Sequence, residues 1–303
     1  MNTRRFVFEA LVVAVVIAPF ALVAQEQEGA PRPRRAPRVF AGCPEAPAQF
    51  DPCATEKAKA FTPPRTPEGD PNLGGYWGRT MNSYDLEAHP DSFMIRGQPT
   101  MIVDPADGKL PYQPWAAQQK TKNYASYYDT NAGCLLSGLP RTTAYMSDQM
   151  LVQQRPGYIF MVSGDHGYRI IKMDNSPHVG KGISLWNGDS RGRWEGNTLV
   201  IDSTNLNGKF WIDIAGNFGS DEMHVVERIT LVDGDTLHYR ATIDDPKVYT
   251  RSWTIAVPLV RNKSKEDMWL ESCHEGEHDS NRLRGAGHTP YPGWARIAAA
   301  AGR

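Results

Sequence analysis

Three ionisable residues interrupt faces of the chain that are otherwise apolar. In the segment that begins at Met223, alternate residues are apolar except Glu227, and Arg251 and His274 interrupt the corresponding faces of two later segments. If these faces line an interior, the three side chains converge there, where an unpaired charge is costly. The pattern is typical of an acid–base group beside an electrostatic partner in a ligand cavity. It is equally typical of a structural ion pair that fills a barrel.

Residues His274 to His278 match the H-E-x-x-H pattern of zinc peptidases, in which two histidines bind the metal and the glutamate, here Glu275, is the base. That pattern requires a helix, whereas this match follows a predicted strand and has Gly276 at its centre. The context therefore disfavours a peptidase. A metal held by His274, His278 and a remote ligand such as His178 stays open.

Arg169, Asp174 and His178 form another candidate group, because they lie close in sequence and could surround an anionic group or a carbonyl oxygen. A single histidine near a strand end is more often an ordinary surface or packing residue. Arg141 adds a further cation that could contact a ligand.

The most distinctive stretch runs from Trp186 to Asp202 and holds Asp189, Trp194 and Glu195 among three glycines. Glycines at this spacing are typical of tight turns. Asp189 and Trp194 are predicted ligand contacts and Glu195 a possible catalytic group, but a simple connection between two strands is the favoured interpretation.

Short strands are the elements that must position these residues. Alternation and turn residues predict one helix over 112–128 and strands over 98–103, 150–154, 158–163, 168–173, 198–202, 223–232, 236–244, 249–257 and 268–273. Eight or nine antiparallel strands in meander order favour a mainly β fold, a closed antiparallel barrel of the lipocalin or calycin type, with a two-sheet sandwich as the alternative. Tyr239 and Trp253 share the predicted interior faces and are further candidate ligand contacts.

The N-terminal region predicts export. Residues 1–24 have two arginines, an apolar run and a small-residue cleavage site, which is typical of a secretory signal peptide. Residues 25–71 are rich in proline and predict an irregular tether, and residues 72–303 predict a single β-rich domain. The mature chain is expected to be periplasmic or secreted and, lacking a second apolar run, to span no membrane.

Four cysteines allow three disulfide pairings in an oxidising compartment. Cys43 and Cys53 flank a short proline-rich loop and pair most simply with each other, which leaves Cys134 with Cys273. A zinc site is the alternative, but the absence of a C-x-x-C motif favours disulfides.

Charge and composition exclude several function classes. The chain has 303 residues with 33 Lys and Arg against 34 Asp and Glu, so it has no broad basic field to bind nucleic acid. It also has no glycine-rich phosphate loop or dinucleotide fingerprint, so we expect no organic cofactor. Its oligomeric state is not predicted.

Five blocks in order carry a resemblance to a family of exported bacterial proteins. They are Leu73-Gly-Gly-Tyr-Trp77, Cys134 with Pro140-Arg141, Trp186-Asn-Gly-Asp-Ser-x-Gly-Arg-Trp-Glu-Gly-Asn-Thr-Leu-Val200, Val226-Glu-Arg228 and Glu271-x-Cys-His-Glu-Gly276. The resemblance covers about residues 65 to 285 and implies the extent of the folded part, with no catalytic role. In that family the last block usually continues with Asn, so His278 is particular to this chain and the H-E-x-x-H interpretation weakens further.

Two functions from different classes are predicted. The first is an acid–base lyase or hydrolase acting on a small hydrophobic or aromatic molecule, in which Glu227 or His274 removes a proton. Arg251, Arg169 or Arg141 would then stabilise the developing negative charge. The second is a lipocalin-like protein in which the same groups only orient a ligand. Three ionisable residues on apolar faces favour the enzyme.

Overall fold

Nine strands close into a barrel around an apolar core. The computed structural model describes residues 36–91, 95–145, 149–164, 167–264, 273 and 279–302. The strands are β1 (Val39–Phe40), β2 (Cys43–Pro44), β3 (Gly75–Arg79), β4 (Ile102–Asp104), β5 (Tyr127–Tyr128), β6 (Met150–Arg155), β7 (Tyr158–Ser163), β8 (Gly167–Lys172), β9 (Asp189–Glu195), β10 (Thr198–Thr204), β11 (His224–Leu231), β12 (Thr236–Asp244), β13 (Trp253–Arg261) and β14 (Thr289–Pro290). The helices are α1 (Pro47–Ala60), α2 (Pro114–Ser126), α3 (Arg141–Ala144), α4 (Asp279–Gly285) and α5 (Trp294–Ala300), with a 3-10 turn at Thr130–Gly133.

The barrel order is β12-β11-β10-β9-β8-β7-β6-β3-β13, and β13 pairs with β12 to close the ring. Strand β4 is a further partner of β13. The closed mainly β barrel confirms the coarse fold prediction, but the expectation of a purely antiparallel sheet was wrong. Strands β8 and β9 run parallel, with Ile171 opposite Ser190 and Lys172 opposite Arg191. A parallel pair needs a longer connection than a hairpin, and residues 173–188 provide it.

Period-2 alternation explains why the central strands form. In β11 the side chains of Val225, Glu227, Ile229 and Leu231 are buried, and the residues between them are half-buried. One face therefore enters the core while the other contacts solvent. The predicted hairpin of β11 and β12 is present, with β12 at the predicted bounds.

Strand β9 was predicted as a turn-rich connection, and the structure corrects this. Its middle residue, Gly192, lies so close to the end of β8 and to the residue that follows β8 that a Cβ there would be 2.3 Å from Met173 Sδ and 2.7 Å from Ile171 Cγ2. The glycine therefore permits close approach of neighbouring segments within the sheet.

The predicted irregular tether up to residue 71 contains a helix. Helix α1 begins with Pro47, at a position where a missing N–H costs least, and it buries Phe50 and Ala54 against Val232. Pro52 lies inside the helix. The predicted Cys43–Cys53 disulfide joins α1 to β2, and the predicted Cys134–Cys273 disulfide is also present. In the part of the chain that the structure describes, no helix has the length and apolar character needed to cross a bilayer.

Candidate functional site

A buried ion pair crosses the barrel interior. Arg169 on β8 and Glu227 on β11 are inward-facing residues of non-adjacent strands, and both are almost completely buried. Arg169 Nη1 donates to Glu227 Oε1 at 2.9 Å, and Arg169 Nη2 pairs with Glu227 Oε2. This bidentate geometry is the strongest arrangement for a guanidinium and a carboxylate. The partner of Glu227 is therefore Arg169, which the sequence analysis assigned to another group.

Hydroxyl groups provide further hydrogen-bond partners for the polar atoms of Arg169 and Glu227. Ser190 and Ser203 lie opposite each other on β9 and β10, and their hydroxyls accept from Arg169 at 3.1 and 2.8 Å. Thr143 of α3 accepts from Arg169 at 3.0 Å, and Tyr239 donates to Glu227 Oε1 at 2.8 Å. Burial and the negative charge of Glu227 raise the pKa of Tyr239, so its hydroxyl stays a donor. With these contacts the pair has the features of a satisfied structural core.

Arg251 does not join this core, which corrects the predicted convergence. Strand β13 begins at Trp253, and residues 250–251 form a bend that breaks the alternation from Tyr249 onward. Arg251 is therefore exposed and pairs with Asp104 at the surface. Trp253 is buried in the core beside Tyr249.

His178 belongs to a separate network near the barrel surface. Its Nδ1 lies 3.0 Å from Asp189 Oδ2, and its Nε2 lies 3.0 Å from Asp202 Oδ1, which also contacts His224 Nε2 at 3.0 Å. Burial raises the pKa of Asp189, but hydrogen bonds from the Val179 N–H, Arg191 and His178 outweigh it and lower that pKa. Asp189 is thus held as a carboxylate that orients His178.

The candidate group of Arg169, Asp174 and His178 is consequently not a single site. Arg169 faces the core, His178 lies in the network with Asp189, and Asp174 is exposed and accepts from the Ser176 N–H at 3.0 Å. Trp194 packs against the core from a partly buried position. The predicted residues His274, Glu275 and His278 lie outside the described residues. Elsewhere, within the described ranges, no group of three or more His, Cys, Asp or Glu side chains is arranged to hold a metal ion.

Arg141 lines a cavity of about 550 Å³, which we call the tyrosine pocket. All of its described lining residues lie outside the nine barrel strands. They are Tyr124, Tyr127, Tyr128, Asp129, Asn131, Ala132, Arg141, Trp211, Ile214, Arg282, Leu283 and His288. Small-molecule sites are typically concave, of this size and lined by aromatic side chains with a few polar groups.

The C-terminal segment forms one wall of the tyrosine pocket. Strand β14 pairs in parallel with β5, and His288 Nδ1 lies 3.1 Å from the Tyr127 carbonyl oxygen. Arg284 Nε donates to the Tyr128 hydroxyl at 2.9 Å. The Cys134–Cys273 disulfide also ties the chain ahead of α4 to the residue that follows the 3-10 turn.

A second wall is formed by Trp211 and Ile214, and the buried Asp213 anchors the segment between them. The Asp213 carboxylate accepts from the backbone N–H groups of Leu86 and Asn217 at 2.9 and 3.2 Å. Complete burial and the nearby Asp85 raise the pKa of Asp213 to about 7, although hydrogen bonds from Asn217 and Leu86 oppose the rise. A titratable group near neutral pH therefore supports this wall.

Among the predicted site residues that the structure describes, only Arg141 lines the tyrosine pocket. The sequence analysis missed Tyr127, Tyr128, Trp211 and His288. The aromatic density at the end of helix α2 was a usable signal, because small-molecule sites are lined largely by hydrophobic and aromatic side chains. No signal marked Trp211 and His288, which reach the pocket only through tertiary folding.

No family model, curated protein or solved structure matches this chain. The resemblance to the family of exported bacterial proteins therefore stays a prediction.

Replacing Glu227 by Gln should lower the free energy of unfolding by about 3–5 kcal/mol, because Arg169 would keep a buried charge without a compensating carboxylate. Chemical denaturation measures the change. The matched control is Glu195→Gln, since Glu195 pairs with Arg193 and Arg228 at the surface and should change stability far less. Equal effects of the two substitutions would contradict the structural role of the buried pair.

Asp213 should make the protein less stable as pH rises. Its folded pKa of about 7 exceeds the ordinary value of 3.8, so between these pH values the folded state retains a proton that the unfolded chain releases. The contribution is fully present below about pH 4 and is lost towards pH 7, by up to about 1.4 kcal/mol per pH unit. Urea unfolding between pH 4.5 and 7.5 should show this slope in the wild type and a weaker one in Asp213→Asn. The exposed control Asp107→Asn should keep the wild-type slope, and an unchanged slope in Asp213→Asn would refute the assignment.

Proposed function

We propose that this protein binds a small aromatic molecule in the tyrosine pocket. The observation that carries the proposal is a cavity of about 550 Å³ that combines four aromatic side chains with Arg141, Arg282 and His288. Aromatic surfaces supply most of the contact area for a flat apolar ligand, while a few polar groups fix its orientation.

Other side chains pack against the aromatic residues that line the pocket, which favours a preformed site. The Tyr291 ring packs edge-on against Tyr127 and Trp211, with ring centroids 6.2 and 5.9 Å away. Trp211 and Tyr128 are buried, so the surrounding structure restricts their rotamers. A site whose side chains are already fixed loses less conformational entropy on binding.

We also propose that binding takes place outside the cytoplasm. Two disulfides and no described free cysteine fit an oxidising compartment, and the signal-like residues 1–24 would direct export there.

Filling the pocket tests the binding proposal. Ile214 lines the cavity and is partly exposed, so Ile214→Trp should occupy the cavity without disturbing the core. Isothermal titration with neutral and anionic naphthalene derivatives should detect binding to the wild type and a loss of affinity of about tenfold or more in this variant. Ile183→Trp is the matched control, because Ile183 is also exposed but does not line the pocket. The proposal fails if no derivative binds, or if both variants bind as the wild type does.

Acid–base catalysis is a second candidate, and His288 favours it. Because the Tyr127 carbonyl can only accept, His288 Nδ1 is the donor of this contact, which leaves Nε2 as the ring atom that could exchange a proton with a ligand. A histidine of this kind, in a pocket with two arginines, has the parts of the lyase or hydrolase expected from the sequence. Glu227 is a weaker candidate base because Arg169 and Tyr239 engage its carboxylate.

Turnover separates the two candidates. For an enzyme, aryl esters or aryl β-hydroxy acids should yield products detectable by mass spectrometry. His288→Gln should then reduce the rate by about 100-fold while the affinity for a non-reactive naphthalene derivative changes little. Absence of turnover by the wild type, or an unchanged rate in His288→Gln, counts against catalysis and leaves the binding proposal standing.

A further inference from the structure

A second cavity lies between helix α1 and the outer face of strands β10 to β12, and we call it the α1 groove. Its volume is about 350 Å³, which is within the range of small-molecule sites. The described lining includes three cations and three hydroxyl groups but no Asp or Glu. The cations are Lys59, Arg228 and Arg240, and the hydroxyl groups are those of Thr55, Thr198 and Thr230.

Two arginines lie side by side in the α1 groove. Arg228 and Arg240 are directly opposite each other in the β11–β12 ladder, and both face away from the barrel because their neighbours Glu227 and Ala241 face inward. Side chains in such positions have Cβ atoms about 5 Å apart, and like charges there repel each other. The two side chains are 42% and 39% exposed, so a solute can reach them.

The carboxylates that contact these arginines do not match them in number. Glu195 is shared, because Oε2 lies 2.9 Å from Arg228 Nη2 and Oε1 lies 2.7 Å from Arg193 Nη2. Asp51 Oδ1 lies 3.1 Å from Arg240 Nε. Two carboxylates therefore contact three guanidinium groups, which leaves one positive charge in excess.

Two further cations border the α1 groove. Lys59 pairs with Glu56 at the surface, where the two charges offset each other. Arg65 Nη2 donates to Asn197 Oδ1 at 2.7 Å, and Asn197 lines the groove. This acceptor has no charge, and in the described part of the chain no carboxylate pairs with Arg65. The groove is therefore positively charged even after every paired carboxylate is counted, which favours an anionic ligand.

We propose that the α1 groove binds the tetrahedral oxyanion of a small phosphate or sulfate ester. Guanidinium groups match the geometry of such an oxyanion, and its negative charge would offset the repulsion between Arg228 and Arg240. The Thr198 and Thr230 hydroxyls lie 2.8 Å apart, so one donates to the other and the second keeps a proton for a ligand. This polar lining fits a ligand with hydroxyl groups, such as a sugar ester. The tyrosine pocket shares no lining residue with the groove, so this inference is independent of the proposed function.

Three related sugars test the requirement for an oxyanion. Isothermal titration at low ionic strength should show that glucose 6-phosphate binds with a Kd of about 1 mM or tighter and that glucose does not bind detectably. Glucose 6-sulfate distinguishes the two ester classes. Equal affinity for both esters indicates a site for either oxyanion, and a preference of more than tenfold narrows the ligand to one class. Absence of binding by both esters, or equal binding of glucose, would overturn the proposal.

Substitution of the paired arginines tests where the ester binds. Arg228→Gln and Arg240→Gln should each weaken glucose 6-phosphate binding by about tenfold, because each removes one guanidinium from the site. Arg251→Gln is the matched control, since Arg251 is also an exposed arginine with a single carboxylate partner but does not line the groove. An equal loss in the control, or no loss in either groove variant, would overturn the proposal.

Filling the groove separates a defined site from a general effect of charge. Ala58 lines the groove from helix α1, so Ala58→Trp should abolish binding of glucose 6-phosphate while every charge is kept. Ala60→Trp is the matched control, because Ala60 is exposed on the same helix but does not line the groove. Unchanged binding in Ala58→Trp would show that the ester does not occupy the groove, and the proposal would fail.

Discussion

The Arg169–Glu227 ion pair is the constraint on which the arrangement of the barrel depends. Two charges that leave water need partners for all their polar atoms, and β9, β10, β12 and α3 each supply a hydroxyl group to this pair. These contacts explain two residues of the distinctive stretch from Trp186 to Asp202. Ser190 accepts a hydrogen bond from Arg169, and its neighbour Asp189 contacts His178. The pair and the surrounding apolar side chains occupy the interior, where a lipocalin-like protein would hold its ligand.

We therefore propose that the aromatic ligand binds to segments that lie outside the barrel strands. The long connection 205–223 supplies Trp211 and Ile214, and the chain after Cys273 supplies Arg282 and His288. Each wall is anchored separately, the first by Asp213 and the second by the disulfide and the β5–β14 pairing. Core stability and ligand contacts then depend on different residues, so substitutions in one should leave the other largely intact.

The features that depend on residues close to each other in the sequence were predicted correctly. The hairpin of β11 and β12, helix α2 and both disulfides followed from alternation, turn residues and cysteine spacing. Strand β9 was missed because its polar residues and glycine give no alternation, and the parallel β8–β9 contact depends on how a long connection returns. Glu227 was correctly predicted to face the interior, but its partner could not be chosen, since Arg169 and Arg251 both lie on predicted strands and only the bend at residues 250–251 distinguishes them. The tyrosine pocket joins segments more than 150 residues apart, beyond any sequence window.

A crystal structure of the protein grown with a bound naphthalene derivative tests the central claim most directly, because the claim concerns where a ligand lies. We predict density for the naphthyl ring among Tyr127, Tyr128 and Trp211, with the Arg169–Glu227 pair unchanged. Density inside the barrel, with Arg169 and Glu227 separated by the ligand, would contradict the claim and make the buried pair the binding site.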